Sequence, residues 1–190
     1  QYAKSPMTPS PKAFIGVDWS GAKGPRQHGI QLACAMPGNA APKRIDCPCT
    51  EKWGRETVFD WLLALARGTA VLPNANLRQG SDGPVLVGID FAFAHPFVDC
   101  GSYFPDCDQS PPDAAALWRL VDEVNEGAPH FYGGGMFQHP VWGAYYLAPP
   151  HYHAPRYTSR RRLTEIAAKA AGRSPSPTFK AVGADNVSTG

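Results

Sequence analysis

Two aspartates each stand near the end of a short apolar run. Asp18 lies in "FIGVDWSGAKG" (residues 14–24), and Asp90 lies in "VLVGIDFAFAHP" (residues 85–96). Two carboxylates that lie close together repel, and a divalent cation is the natural compensation. Mg²⁺ and Mn²⁺ suit such an oxygen pair and can act on a phosphodiester bond. The alternative is that each aspartate only caps a turn through backbone N–H groups.

Several other polar side chains are candidates for binding a substrate or assisting the reaction. A serine and a lysine follow the first aspartate in a turn that contains glycine, where they can contact phosphate. A histidine follows "DFAFA" and can act as acid or base near neutral pH. Two arginines in "SRRRL" offer the guanidinium fork that matches a phosphate, although a solvated helix start is the alternative. These residues are Ser20, Lys23, His95, Arg161 and Arg162.

The elements that carry the two aspartates predict an α/β fold with a mixed sheet. Short turns between the first three strands favour an antiparallel meander. A helical crossover then lets the fourth strand pair with the first in parallel, and ligands bind at such strand ends. The fourth strand is nearly continuously apolar, which predicts burial on both faces. The predicted strands are residues 13–19, 28–36, 43–49 and 84–91, with a helix at 51–67.

The second half of the chain predicts two helices and long irregular connections. Helices are expected at 112–127 and 160–171, an irregular segment at 94–112, and a long aromatic-rich loop at 128–158. In the last helix the apolar side chains fall on one face, which predicts that this face is buried. Its apolar residues are Leu163, Ile166, Ala167, Ala170 and Ala171.

Length and composition fit a single folded domain. The chain has 190 residues with 43% hydrophobic and 18% charged residues, as in globular proteins. We interpret residues 1–12 as a flexible lead, with 1–6 a candidate tag remnant, and residues 13–190 as one domain. Nine acidic residues and one arginine lie in 80–150, whereas seven basic and two acidic residues follow in 151–190. A basic tail beside an acidic middle suits a phosphate-bearing substrate held together with metal ions.

The cysteines and the hydropathy pattern indicate the cellular compartment and whether the chain crosses a membrane. Five cysteines without a visible export signal predict reduced thiols in a cytoplasmic protein. No apolar run is long enough for a membrane helix, so we expect no membrane partner. Four of the cysteines could supply zinc ligands, but their spacing differs from that of zinc ribbons and favours free thiols. These four are Cys47, Cys49, Cys100 and Cys107.

Four short motifs together resemble one family. In chain order they are "FIGVDWSGA", "VGIDFAFAHP", "RRLTE" and "SPTFKAVGA", and they resemble the DUF429 group, predicted nucleases with a ribonuclease H-like fold. The resemblance implies that Asp18 and Asp90 hold Mg²⁺ or Mn²⁺ on adjacent strands. It also implies that Glu165 in "RRLTE" completes the cluster, although a regular helix would turn this side chain away from the apolar face, toward solvent. Family members continue beyond this point, so the domain is expected to be truncated near Gly190.

Three functions are compatible with these observations. The first is a divalent-metal-dependent nuclease, with nucleic acid as its partner. The second is a non-catalytic member of the fold that binds nucleic acid or a protein. The third is half of an actin-like or sugar-kinase-type phosphotransferase, because those enzymes also begin with a strand bearing "GVD" or "GID". A phosphotransferase of that type needs two such domains, which 190 residues do not readily supply.

Overall fold

The computed structural model describes residues 10–19, 24–26, 28–73, 83–91, 93–148 and 153–175. The chain divides into two compact units. The first comprises Gln1–Ser20 and Pro25–Asp90, and the second comprises Gly21–Gly24 and Phe91–Gly190. The described residues contain a mixed four-stranded sheet and four α-helices. The predicted α/β class is therefore confirmed.

The sheet lies in the first unit and has the strand order β3-β2-β1-β4. The first three strands form the predicted antiparallel meander, and β4 pairs in parallel with β1. The predicted parallel pairing of the first and fourth strands is thus confirmed. The strands are β1 Ala13–Asp18, β2 Gln31–Ala35, β3 Lys43–Ile45 and β4 Val85–Ile89.

One face of this sheet packs against the helix α1, Arg55–Ala66. Side chains alternate along a strand, so Ile15 and Val17 point into the core while Asp18 points away from it. From the helix, Val58 and Trp61 are buried in the same core. The helix predicted at 51–67 is therefore confirmed, over Arg55–Ala66.

The prediction that β4 is buried on both faces is wrong. Leu86 in this strand is 55% exposed, whereas Val85, Val87 and Ile89 are partly buried and pack on the core. In the described part of the first unit, one helix covers one face of the sheet. An apolar run predicts a strand, but it cannot indicate how many faces of that strand will find a partner.

The second unit has its own aromatic core. It contains α2 Ala114–Val124, α3 Gly135–Gln138 and α4 Leu163–Ala170. Two 3₁₀ turns, Pro129–Phe131 and Trp142–Tyr145, also lie here. The segment 128–158 predicted as loop thus holds several short helical pieces, which have too few residues to show a period. The buried core residues are Tyr103, Phe104, Leu117, Met136, Trp142, Tyr145 and Tyr146.

The two predicted faces of α4 are the reverse of those observed. Leu163 is 62% exposed and Ile166 is 51% exposed, whereas Glu165 is buried. The prediction of a buried apolar face is wrong, and so is the alternative of a solvated Glu165, because hydrogen bonds at the start of the helix bury this carboxylate (below). None of the helices in the described residues is long and apolar enough to cross a membrane.

Gly54 provides a test of the packing at the start of α1. The residue is buried, and a Cβ added there would overlap the carbonyl oxygen of Pro25. We expect Gly54→Ala to lower the free energy of unfolding by about 1–3 kcal/mol, the range typical of overpacking. The matched control is Gly16→Ala, because a Cβ at Gly16 meets nothing within 4 Å. Denaturant titration followed by circular dichroism measures both variants, and equal stabilities would contradict this packing.

Candidate active site

The strand register brings Asp18 beside Asp90. Val17 pairs with Ile89 in the parallel register, and the Asp90 N–H donates to the Val17 carbonyl at 2.9 Å. The next position along both strands is an aspartate, so the two residues are cross-strand neighbours, about 5 Å apart between Cα atoms. Both are exposed. The two carboxylates therefore share the sheet face opposite α1, at the carboxyl ends of β1 and β4.

An open groove with a volume of about 780 Å³ contains both carboxylates. Gly16 and Gly88 pair with each other across the two strands and form part of the floor of this groove. Each lies on the same face as the aspartate two residues after it. Gln31 and Arg44 also line the groove. The Arg44 guanidinium binds the Asp46 carboxylate at 2.9 Å, and its side chain is 62% exposed. The groove thus combines two acids, one arginine and a floor that carries no side chain at the glycine pair.

The donor chemistry of the pair fits a hard cation. Within the described residues, neither carboxylate has a hydrogen bond or an ion pair to a protein group, so the turn-capping alternative has no hydrogen bond to support it there. The same residues contain no group of three or more His, Cys, Asp and Glu side chains that could hold a metal ion. Mg²⁺ is commonly held by one or two carboxylates together with waters and substrate phosphates. Asp18 and Asp90 match that smaller donor set.

Glu165 is bound within its own helix terminus. Its Oε2 accepts from the Arg162 backbone N–H at 2.7 Å, and its Oε1 accepts from Arg162 Nε at 3.0 Å and Nη2 at 2.5 Å. These bonds close the first turn of α4 and keep the carboxylate buried. Glu165 belongs to the second unit. Its role as a third metal ligand stays a prediction.

The predicted substrate-binding residues differ in their surroundings. Ser20 and Lys23 lie outside the described residues. Arg162 is paired with Glu165 and also donates to the Ala94 carbonyl at 3.3 Å. Arg161 has a buried Nε without a hydrogen-bond partner in the described part of the chain. The phosphate-binding roles predicted for these residues stay predictions.

Arg160, which is not among the predicted binding residues, makes five hydrogen bonds within the second unit. Its guanidinium binds the Asp99 carboxylate through Nε at 2.9 Å and Nη2 at 2.5 Å. It also donates to three backbone carbonyls, at 2.8–2.9 Å. The side chain is 6% exposed, so the solvated helix start is wrong for this residue. The three carbonyls belong to Pro96, Ser102 and Tyr103.

His95 is a neutral partner in the aromatic core of the second unit. Its Nε2 lies 2.8 Å from the Tyr146 hydroxyl, and its Nδ1 is shielded from solvent although the side chain is partly exposed as a whole. Burial, with the nearby positive charges of Arg162 and Arg160, lowers the pKa of His95 to about 3. Burial also raises the pKa of Tyr146. This differs from the imidazole, tunable near neutral pH, that the sequence predicted.

No family model, no curated protein and no solved structure matches this chain. The resemblance to the DUF429 group therefore stays a prediction from four short motifs. The adjacency of Asp18 and Asp90 depends on the strand register instead, and is independent of that resemblance.

Arg160 is expected to be essential for the second unit. Arg160→Met removes the partner of Asp99 and takes the donor from three carbonyls, two of them buried, so we expect a loss of about 3 kcal/mol or more in the free energy of unfolding. Arg119→Met is the matched control because Arg119 is exposed on α2. Urea denaturation compares the two variants. Equal midpoints would show that the Arg160 contacts add no stability.

The lowered pKa of His95 predicts a pH-dependent stability. The unfolded chain binds this proton near pH 6.5, whereas the folded chain does so only near pH 3. Stability should therefore fall as the pH drops below 6.5, by up to about 1.4 kcal/mol per pH unit for one proton. Between about pH 6.5 and 4.5 most carboxyls remain ionised, so His95→Gln should flatten the slope in that window. Denaturant titration gives the free energy of unfolding at each pH. If it changes with pH equally in the unaltered chain and in His95→Gln, the lowered pKa of His95 is contradicted.

Proposed function

We propose that this chain binds Mg²⁺ or Mn²⁺ through Asp18 and Asp90 and hydrolyses phosphodiester bonds of nucleic acid. The single observation that carries the proposal is the parallel register of β1 and β4, which makes the two aspartates neighbours on one open face. Three antiparallel strands, a helix and a fourth strand parallel to the first also support a ribonuclease H-like assignment. The proposal therefore includes that fold.

The two carboxylates supply negative charge and oxygen ligands at the end of the groove. A bound divalent cation would neutralise this charge and polarise a phosphoryl oxygen. Since Asp18 ends β1 and Asp90 directly follows β4, the ladder fixes the backbone positions from which the two side chains extend. Such positioning by rigid elements is what a reaction at a phosphate needs from the protein.

The rest of the groove suits an extended, negatively charged chain. The glycine pair Gly16 and Gly88 leaves the floor low beside the aspartates, so a sugar–phosphate backbone can approach the sheet closely. Arg44 offers a positive charge to a phosphate on the β2–β3 side of the groove. The groove is open to solvent along the sheet. A polymer can lie across such a surface without having to enter a closed cavity.

A second candidate function is cation-dependent binding of nucleic acid without hydrolysis. It is favoured by one observation, that the described residues provide two carboxylates and no group of three metal-binding side chains. Two carboxylates can hold one ion, whereas the two-metal clamp of many nucleases places a pair of ions on the attacking and leaving oxygens. Binding and turnover are therefore measured separately.

The test combines cation titration with a hydrolysis assay. We expect Asp18→Asn and Asp90→Asn each to weaken Mn²⁺ binding at least tenfold, measured by calorimetry, because each removes a charged oxygen ligand. Asp60→Asn is the matched control, since Asp60 is exposed on α1 and is not among the residues that line the groove. In the double Asp18→Asn, Asp90→Asn variant, cleavage of a single-stranded oligonucleotide with Mn²⁺ should fall to background.

The outcomes separate the two functions. Full cleavage by the double variant would overturn the proposed nuclease. Mn²⁺ binding that depends on both aspartates, together with oligonucleotide binding but no cleavage by the unaltered chain, would favour the binding function. Mn²⁺ affinities equal to that of the Asp60→Asn control would overturn the metal site itself.

A further inference from the structure

Two cysteines in the first unit lie in direct contact. Cys47 and Cys49 flank Pro48 just after β3, and their sulfur atoms are 3.6 Å apart. Cys47 Sγ also lies 3.2 Å from the Thr50 hydroxyl oxygen. Both cysteines are free thiols. The pair lies outside the set of residues that line the aspartate groove.

The local structure holds this pair in place. Ile45 at the end of β3 is buried, and its carbonyl accepts from Trp53 Nε1 at 3.0 Å, which ties together the two ends of the turn. Within the turn, the Thr50 hydroxyl donates to the Lys52 carbonyl at 2.6 Å. Cys47 packs against the sheet core, whereas Cys49 is exposed. One thiol is thus anchored and the other is accessible to solvent.

We propose that Cys47 and Cys49 form a redox-active dithiol that closes reversibly to an intrachain disulfide. Sulfur atoms in van der Waals contact need to approach by about 1.5 Å to reach the S–S bond length of about 2.05 Å. Because the two residues are separated by one proline, this approach requires side-chain rotation and a small local adjustment. The tie between Ile45 and Trp53 lies outside the ring that would form.

The two thiols are chemically unequal. Burial opposes ionisation of Cys47, but hydrogen bonding by its neighbours, including Cys49, outweighs it and lowers the pKa of this thiol. The hydrogen bond to Cys47 raises the pKa of Cys49. The thiolate is the nucleophile in thiol–disulfide exchange. The lower pKa favours Cys47 as the attacking sulfur, and the contact between the two sulfur atoms places the exposed Cys49 within reach to resolve the mixed disulfide.

The reaction with a small disulfide such as oxidised glutathione can be written in two steps. The Cys47 thiolate attacks one sulfur of the oxidised glutathione, forms a mixed disulfide and releases one glutathione thiolate. Cys49 then loses its proton and attacks Cys47 Sγ, forming the intrachain bond and releasing the second glutathione. The two protons of the dithiol end on the two glutathione molecules. The dithiol loses two electrons, and the oxidised glutathione gains them.

The short spacing predicts a disulfide that is easily reduced. A bond across one intervening residue closes a small ring, and exposed or strained disulfides have more oxidising potentials than structural ones. The pair is thus suited to reversible exchange rather than to permanent cross-linking. Two thiolates alone supply fewer ligands than the four that a structural zinc site takes.

The test uses the full chain carrying Cys100→Ser and Cys107→Ser, which leaves the pair and the buried Cys34. After incubation with oxidised glutathione, alkylation and intact-mass measurement, we expect the protein to lose two hydrogens and two alkylation sites. Adding Cys49→Ser should trap one glutathione on Cys47. Adding Cys47→Ser instead should reduce the rate of adduct formation at least tenfold, since the attacking thiolate is gone.

Two further measurements test the proposal even if one of the cysteine variants folds poorly. Phenylarsine oxide, which bridges two adjacent thiols with release of water, should bind the unaltered chain one to one. Alkylation at increasing pH should modify Cys47 before Cys49, because hydrogen bonding favours the Cys47 thiolate. Failure to form the disulfide at any glutathione ratio, or equal alkylation rates for Cys47 and Cys49 across pH, would overturn the proposal.

Discussion

The parallel pairing of β1 with β4 is the interaction on which the candidate site depends. Helix α1 carries the chain from β3 across to the far side of β1, and the ladder then fixes which residues of the two strands face each other. Alternation along the strands directs Ile15 and Val17 into the core and Asp18 to the opposite face. The same register that builds the hydrophobic core therefore brings two carboxylates together without burying them. A shift of β4 by one residue would turn Asp90 toward the core.

The sequence was sufficient for elements whose cause is local. The meander, α1 and the crossover follow from period, turn residues and connection length, and all agree with the structure. Two predictions of a buried face, in β4 and in α4, were wrong for the same reason. Hydrophobic periodicity indicates which side chains share a face, but whether that face is covered depends on partners elsewhere in the chain. Leu86 in β4 and Ile166 in α4 both satisfy the pattern and both remain exposed.

The sequence predicted the part of the site that depends on the order of the strands. It missed the parts that depend on contacts between distant residues. The neighbourhood of Asp18 and Asp90 follows from the strand order together with the place of each aspartate at the end of its apolar run. The clamp at Arg160 does not, because its partners lie 57–64 residues earlier in the chain and carry no distinctive local pattern. His95 was interpreted from its chemical type, but its surroundings determine its charge. The contact between the two sulfur atoms of "CPC" likewise required coordinates, since the spacing alone fits many geometries.

The Arg160 clamp also has a consequence for how the second unit folds. One guanidinium holds the loop around Asp99 to the start of α4, so it closes a loop of about 60 residues without a covalent bond. The chain entropy lost in closing such a loop precedes any gain from the contacts. Contacts of this sequence separation raise contact order and slow folding. The aromatic core of this unit is therefore expected to consolidate late, when the arginine leaves water and reaches all of its acceptors together.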